Sequence, residues 1–153
     1  MRAWIEISND LQWKKKAMNI LGLNAPASTR YMNMMKGIQK GDIILHYITN
    51  QLAKDQSHKS AIVGISLANS KMEKKNSKYT INLRNTQTLP VPIKFKEFSK
   101  IDNLSDKLKQ LLHANLQQYL GEIEISDLIK IIKLKQNNYS FLEQSSYASL
   151  LKI

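Results

Sequence analysis

Cysteine is absent from the 153-residue chain, which removes disulfides, zinc–thiolate sites and thiol nucleophiles together. Long apolar runs are missing too. No stretch approaches the 18 or so residues needed to span a bilayer, and the first residues lack the apolar segment of a secretory signal. A cytoplasmic protein is the simplest reading. Catalytic signatures are equally scarce. The three histidines, at 46, 58 and 113, lie far apart, and neither a zinc-protease helix motif nor a phosphate-binding glycine loop occurs. "GISLA" at 64–68 has the spacing of part of a nucleophile elbow, but that motif runs from strand through turn to helix, whereas here a lysine-rich loop follows. Ser66 is therefore not expected to be a nucleophile. No catalytic residue, metal or cofactor is expected.

Acidic residues are few and unevenly placed. The chain carries 23 Lys and Arg against 12 Asp and Glu. Residues 1–100 hold 17 of those cations and 6 of the acids, while residues 101–153 hold 6 of each. The whole excess of +11 thus sits in the first two-thirds of the chain, a gradient that favours a polyanionic partner. A lysine-rich surface that only aids solubility is the alternative. With 42% hydrophobic residues, the chain is long enough for one globular domain with a substantial core.

The order of patterns predicts an α+β domain. "RAWIEIS" alternates like a half-buried strand, with Trp4 expected in the core. "SND" offers helix N-cap chemistry for a helix over about 10–21, ended by Gly22. "LNAPAST" reads as a loop, and "RYMNMMKGI" as a short helix that places Tyr31, Met34 and Met35 on one side. The strand at 43–49 puts Ile43, Leu45 and Tyr47 on one face and Ile44, His46 and Ile48 on the other, so it is central; Gly41 permits its tight entry. "SAIVGISLA" is a second strand in which Gly64 allows a bulge or a close approach. "NSKMEKKNSK" reads as a basic loop, "YTINL" as a third strand, and "LPVPIKF" as a fourth whose prolines at 90 and 92 suit an edge. Helical spacing then runs through "LSDKLKQLLHANLQQYL" and through "SDLIKIIKLK", the latter started by Ser126. Residues 1–137 are taken as the domain, and 138–153 as a last helix or the start of a linker. The expected architecture is a small twisted, barrel-like sheet flanked by helices.

Taken in order, "WIEISND", "YMNMMKGIQKGDIILHYIT", "SAIVGISLANSK", "KYTINL" and "LPVPIKF" resemble the EVE/YTH-like group of the PUA superfamily. "LQQYLGEIEISDLIKII" is similar to the segment that closes such domains at the N-terminus of McrB-type modification-dependent restriction proteins. The likeness spans roughly residues 3–135. It implies a PUA-like fold and a binding module rather than an enzyme. The implied ligand is double-stranded DNA with a modified base, flipped out of the helix into a small aromatic-lined pocket. An AAA+ motor and a nuclease would be supplied by the parent protein or its complex.

Carried over by position, Ser8 and Asn9 match the Ser-Asn that closes the first strand of YTH-type domains and would bond the base edge. Trp13 falls one helical turn later and is either a helix-packing residue or a pocket wall. Where the first cage tryptophan falls, this chain has Leu23 and Asn24. The second wall falls in the 70–78 loop and just beyond it, where Met72 and Tyr79 stand in place of tryptophan. Tyr31 and Tyr47 complete the candidate pocket, each also readable as core. Lys14, Lys15, Lys16, Arg30, Lys71, Lys74, Lys75 and Lys78 flank the implied mouth and are candidate phosphate contacts. Three rival readings remain open. One is an RNA-modification reader sharing the same pocket. Another is an ASCH-like nucleoside hydrolase drawing on Lys40 with Asp42, or Glu6. The third is a nonspecific DNA-binding protein.

Overall fold

The computed structural model describes residues 1–8, 13, 23–26, 33, 35–49, 58–75, 78–113 and 120–151; for 23–26, 75 and 78 it describes the backbone alone. The strands described are β1 (Ala3–Ser8), β2 (Leu23–Pro26), β3 (Ile43–Ile48), β4 (Ala61–Ala68), β5 (Glu73–Lys75), β6 (Lys78–Ile81), β7 (Leu83–Lys94) and β8 (Leu120–Ile123). The helices described are α1 (Phe95–Phe98), α2 (Asp106–His113), α3 (Ile125–Lys133), α4 (Gln136–Glu143) and α5 (Ala148–Leu151). The main sheet has the order β7-β4-β3-β1-β8, with β1 and β3 parallel and the other neighbours antiparallel. A three-stranded sheet, β2-β6-β5, accompanies it. The class is α+β, as the patterns predict, but the five-stranded sheet is open rather than closed into a barrel.

Alternation in β3 sorts the two faces. Ile43, Leu45 and Tyr47 join Ala3, Ile5, Ile62, Ile65, Leu89 and Ile93 in one large core, which helices α1 to α5 cover with Phe98, Leu108, Leu128, Ile131, Leu142 and Leu151, joined by Tyr147 from the turn before α5. Fully burying one such aliphatic or aromatic side chain contributes roughly 1.5–3 kcal/mol, so this layer is the main source of stability. Ile44 and Ile48 point to the other face, where they belong to separate, smaller clusters.

The Lys-Gly-Asp turn before β3 has a specific cause. Gly41 adopts φ +94°, a backbone that other residues rarely take. The buried Asp42 carboxylate then accepts three N–H groups: the backbones of Arg2 at 2.9 Å and Gln39 at 2.9 Å, and Trp4 Nε1 at 3.0 Å. One side chain thereby ties the start of β1, the turn and Trp4 together.

Several elements differ from the sequence expectation. β2 and β5 lie in segments read as loops; both are short, and each is a strand through its pairing with β6, which is distant in sequence from β2 and adjacent to β5. Of the helix expected through residue 120, the described part is α2 at 106–113; residues 114–119 lie outside the described residues, and Leu120 opens β8. The cap of α3 is Glu124, not Ser126. The third and fourth expected strands become β6 and the 12-residue β7. The last segment is helical: α4 crosses residue 137, and Leu142, Tyr147 and Leu151 are buried in the main core.

Among the described residues, no helix is long and apolar enough to cross a membrane. None of their His, Asp and Glu side chains form a group of three or more fit to hold a metal ion.

Candidate nucleic-acid interface

The face of the main sheet turned away from α1–α5 carries two apolar clusters with a polar row between them. At the end where β1 and β3 begin, Trp4 packs with Met35, Ile38, Ile44, Ala68, Ile81 and Leu120, and Met72, Tyr79 and Leu83 lie against them. Toward the other end, Trp13 packs with Ile48, Ala61 and Val63.

The row between them crosses four adjacent strands. Glu6 on β1 meets His46 on β3 (Oε1 to Nδ1, 2.8 Å). His46 Nε2 meets Ser66 Oγ on β4 at 2.7 Å, and Ser66 Oγ meets Thr86 Oγ1 on β7 at 2.8 Å. All four side chains are buried. Sheet register explains the alignment, because Glu6 pairs with His46 and Ile44 pairs with Ser66 on the same face. An ionised Glu6 accepts from Nδ1–H; Nε2 then either accepts from Ser66 or, in an imidazolium, donates to it. Satisfied buried networks of this kind hold their members rigidly.

Trp13 covers part of this row. Its ring lies 5.1 Å from the His46 ring at an interplanar angle of 36°. It also rests on Gly64, where an added Cβ would come within 1.9 Å of Trp13 Cη2. Glycine at 64 is thus a close-approach position, and β4 shifts register against β7 beside it. Ser8 closes β1 on this same face, paired with Ile48 and buried.

The structure divides the candidate pocket residues into three groups. Ser8 and Trp13 come together at one end of the sheet, while Met72 and Tyr79 pack around Trp4 at the other. Tyr47 is on the opposite face, inside the main core, with its ring edge-on to Phe98 at 6.2 Å. Burial pushes its hydroxyl upward from the ordinary tyrosine range, opposed by a hydrogen bond with Ser60. Strand alternation forces this: neighbours His46 and Tyr47 cannot share a face. Asn9, Tyr31, Lys14, Lys15, Lys16 and Arg30 lie outside the described residues. Leu23 and Asn24 are placed by backbone alone, on β2, as are Lys75 and Lys78 at the β5–β6 turn. Lys71 and Lys74 are exposed.

Glu6, Ser66 and Thr86 were missing from the site expected from sequence. For Glu6 and Ser66 a signal was present, a polar residue inside a largely apolar strand; Thr86 lies in the polar run 84–88 of β7 and had none. What joins them is inter-strand register, which no local pattern encodes. The Ser66–His46–Glu6 part has the bond order of a hydrolytic triad. Ser66, however, is fully buried in the middle of a paired strand, without the exposed elbow that presents a nucleophile. A cleft of about 450 Å³ opens elsewhere, beside Arg2, Trp4, Leu111 and Glu122. Glu122 accepts there from Lys107 Nζ at 2.8 Å.

No family model and no curated protein matches the sequence, whereas solved structures match the architecture. The N-terminal domain of Staphylothermus marinus McrB superposes with a TM-score of 0.54, covering 90% of this chain and 93% of that one at 14% identity. An ASCH protein from Zymomonas mobilis gives 0.55, covering 87% and 95% at 12% identity. The YTH domain of Zygosaccharomyces rouxii MRB1, solved in complex with N6-methyladenosine RNA, gives 0.50, covering 87% and 85% at 12% identity.

The fold is PUA-like. At these identities the likeness is one of architecture, and it agrees with the motif order read from the sequence. Within this PUA-like frame the described part of the Ser8–Trp13 end consists of a strand terminus, an indole and a buried polar row.

Proposed function

We propose that this PUA-like domain binds double-stranded DNA carrying a modified base and receives that base, flipped from the helix, at the Ser8–Trp13 end of the sheet. In this reading it is the targeting module of a McrB-like restriction system, whose AAA+ motor and nuclease reside in the parent protein or its complex. The observation that carries the reading is Trp13, an indole held against His46 and seated on Gly64 beside the end of β1.

The energetics require little more than this end of the sheet offers. Extruding a base costs a few kcal/mol. One stacking contact returns roughly 1–3 kcal/mol and one good base-edge pair about 1–3 kcal/mol. A stack on Trp13 plus one edge bond from Ser8 or Asn9 offsets the extrusion. Trp13 is 2% exposed here, so a base meets its ring only after an opening movement, whose cost lowers the apparent affinity. The cationic excess of the first 100 residues supplies phosphate attraction without sequence preference.

An RNA-modification reader is the second reading, favoured by the YTH neighbour seen with N6-methyladenosine RNA. It would engage single strands, whose bases are already unstacked. Fluorescence anisotropy at fixed moderate salt separates the two. The panel is one duplex in unmodified, N6-methyladenine, 5-methylcytosine and 5-hydroxymethylcytosine forms, with matched single-stranded RNAs. The proposal expects one modified duplex to bind at least about tenfold more tightly, the size of one base-edge contact. A preference confined to modified RNA transfers the role to the second reading. Equal, steeply salt-dependent binding of every duplex and every single-stranded RNA contradicts both.

A further inference from the structure

The ends of four adjacent strands bring together cations that are distant in sequence. Gly41 N–H donates to Ala68 O at 2.8 Å, Ile43 N–H to Arg2 O at 2.9 Å, and Leu67 pairs with Arg84. Arg2, Lys40, Lys71 and Arg84 therefore flank the same edge of the main sheet, contributed by the entries to β1, β3 and β7 and the exit of β4. Lys36 is next to Gly37, which lies against the Trp4 and Arg2 side chains, and Lys74 is on β5. All six are exposed. Arg2 reaches Glu122 only at 3.8 Å, and among the described residues the other five make no ion pair.

Three acids are near. Asp42 is buried and taken up by three N–H donors, Glu73 has a partner of its own, and Glu122 is shared with Lys107. The edge thus keeps a net positive charge facing solvent. It is not the mouth of the Trp13 site: Ala68 lies about 13 Å further along β4 than Gly64, on which Trp13 rests.

We propose that this edge is a second phosphate-contacting surface, which grips the nucleic-acid backbone away from the base that the Trp13 end receives. The proposal rests on the nucleic-acid reading given above and extends it to Arg2, Lys36, Lys40 and Arg84. It also reassigns Lys71 and Lys74 from the pocket mouth to this edge. At a strand spacing near 4.8 Å, four strand ends cover about 14 Å, the axial length of about four nucleotides of one DNA strand. The offset from Trp13 is similar, so the edge holds a flank of the site. Its contacts add affinity and orientation and carry no information about the base.

The test is the salt dependence of binding to a short unmodified duplex. The combined variant Lys40→Gln, Lys71→Gln, Arg84→Gln is compared with Lys96→Gln, Lys100→Gln, Lys109→Gln, which removes equal charge from exposed lysines outside this edge. Thermal melting verifies that both remain folded, and the three edge substitutions made singly stand in if the combined variant does not. The slope of log K against log salt should fall by about 0.9 for each phosphate that is no longer neutralised, thus by up to about 2.7 in the edge variant. Affinity should drop at least tenfold there, with much smaller changes in the control. The ratio of modified to unmodified binding should stay the same in both. Equal losses in the two variants overturn the edge and leave only net charge. Full retention of slope by the edge variant, while the parent binds DNA, overturns the edge alone. A parent protein that binds no nucleic acid overturns the underlying reading, and the edge with it. Edge-dependent binding to phosphatidylserine vesicles without DNA binding also overturns the proposal, since the surface would then serve a membrane.

Discussion

At Gly64 an added methyl group would sit 1.9 Å from the Trp13 ring, whose neighbours Ile48, Ala61 and Val63 are themselves buried. Gly64→Ala is therefore expected to cost about 1–3 kcal/mol by overpacking, read as a lower urea midpoint with an unchanged slope. Removing Glu6 acts differently. Glu6→Ala takes the carboxylate acceptor away from His46 Nδ1 and should cost about 1–3 kcal/mol, whereas Glu6→Gln keeps an amide oxygen there and should cost less. Equal destabilisation by the two variants would mean that the carboxylate charge, not the side chain's shape or a neutral acceptor, matters. The close-approach role of Gly64 was legible from one glycine in an apolar strand. The partner ring, 51 positions earlier, was not. Nor was the link from Glu6 to Thr86, since Glu6, His46 and Ser66 each look alone like a stray polar residue and Thr86 lies in a polar run. Asp42 fell between these cases: its Lys-Gly-Asp turn was evident, its three donors were not.

Among the elements, β7 shows how an edge strand is protected. Pro90 and Pro92 lack N–H groups, as expected of an edge, and between them Val91 is paired by a side chain instead of a strand. Its N–H donates to Asn138 Oδ1 at 2.9 Å, and its carbonyl accepts from Asn138 Nδ2 at 2.7 Å. Asn138→Ala leaves both groups short of a partner and should cost about 1–3 kcal/mol, with faster hydrogen exchange at Val91. Retained protection there would contradict this pairing. α5 is tethered nearby, where Tyr147 donates its hydroxyl to Asn85 O at 2.5 Å. Burial, weakly countered by Arg84, pushes the Tyr147 hydroxyl far above the usual tyrosine value. A raised folded value means that the native state holds this proton more tightly than the unfolded chain. Stability is then intact below pH about 10 and falls as pH rises beyond it. Tyr147→Phe should be less stable at neutral pH by about 1 kcal/mol, yet lose less between neutrality and pH 11 in parallel urea titrations. Strongly periodic elements such as β3, β4 and α3 were readable from pattern. β8 was not, because a leucine-rich run before it continues a helical spacing. β2 and β5 are too short to show a period, and the pairing of each with β6 is what makes it a strand.

For the molecule as a whole, the sheet separates the main apolar core from the face to which the proposed reading assigns recognition. One face is covered by α1–α5 over a large apolar core; the other carries the polar row and the two tryptophans. If the proposed reading holds, this division makes base discrimination separable from general affinity. If Trp13 receives the base, its loss must abolish discrimination while leaving backbone attraction in place. The decisive measurement is the ratio of Kd for unmodified over preferred modified duplex, in the parent protein and in Trp13→Leu, with folding verified by thermal melting. The ratio, at least about tenfold in the parent, should collapse toward one in the variant while the affinity for unmodified duplex stays within about twofold. A folded Trp13→Leu protein that keeps the parent's ratio, or that loses both affinities equally, would contradict the role given to Trp13.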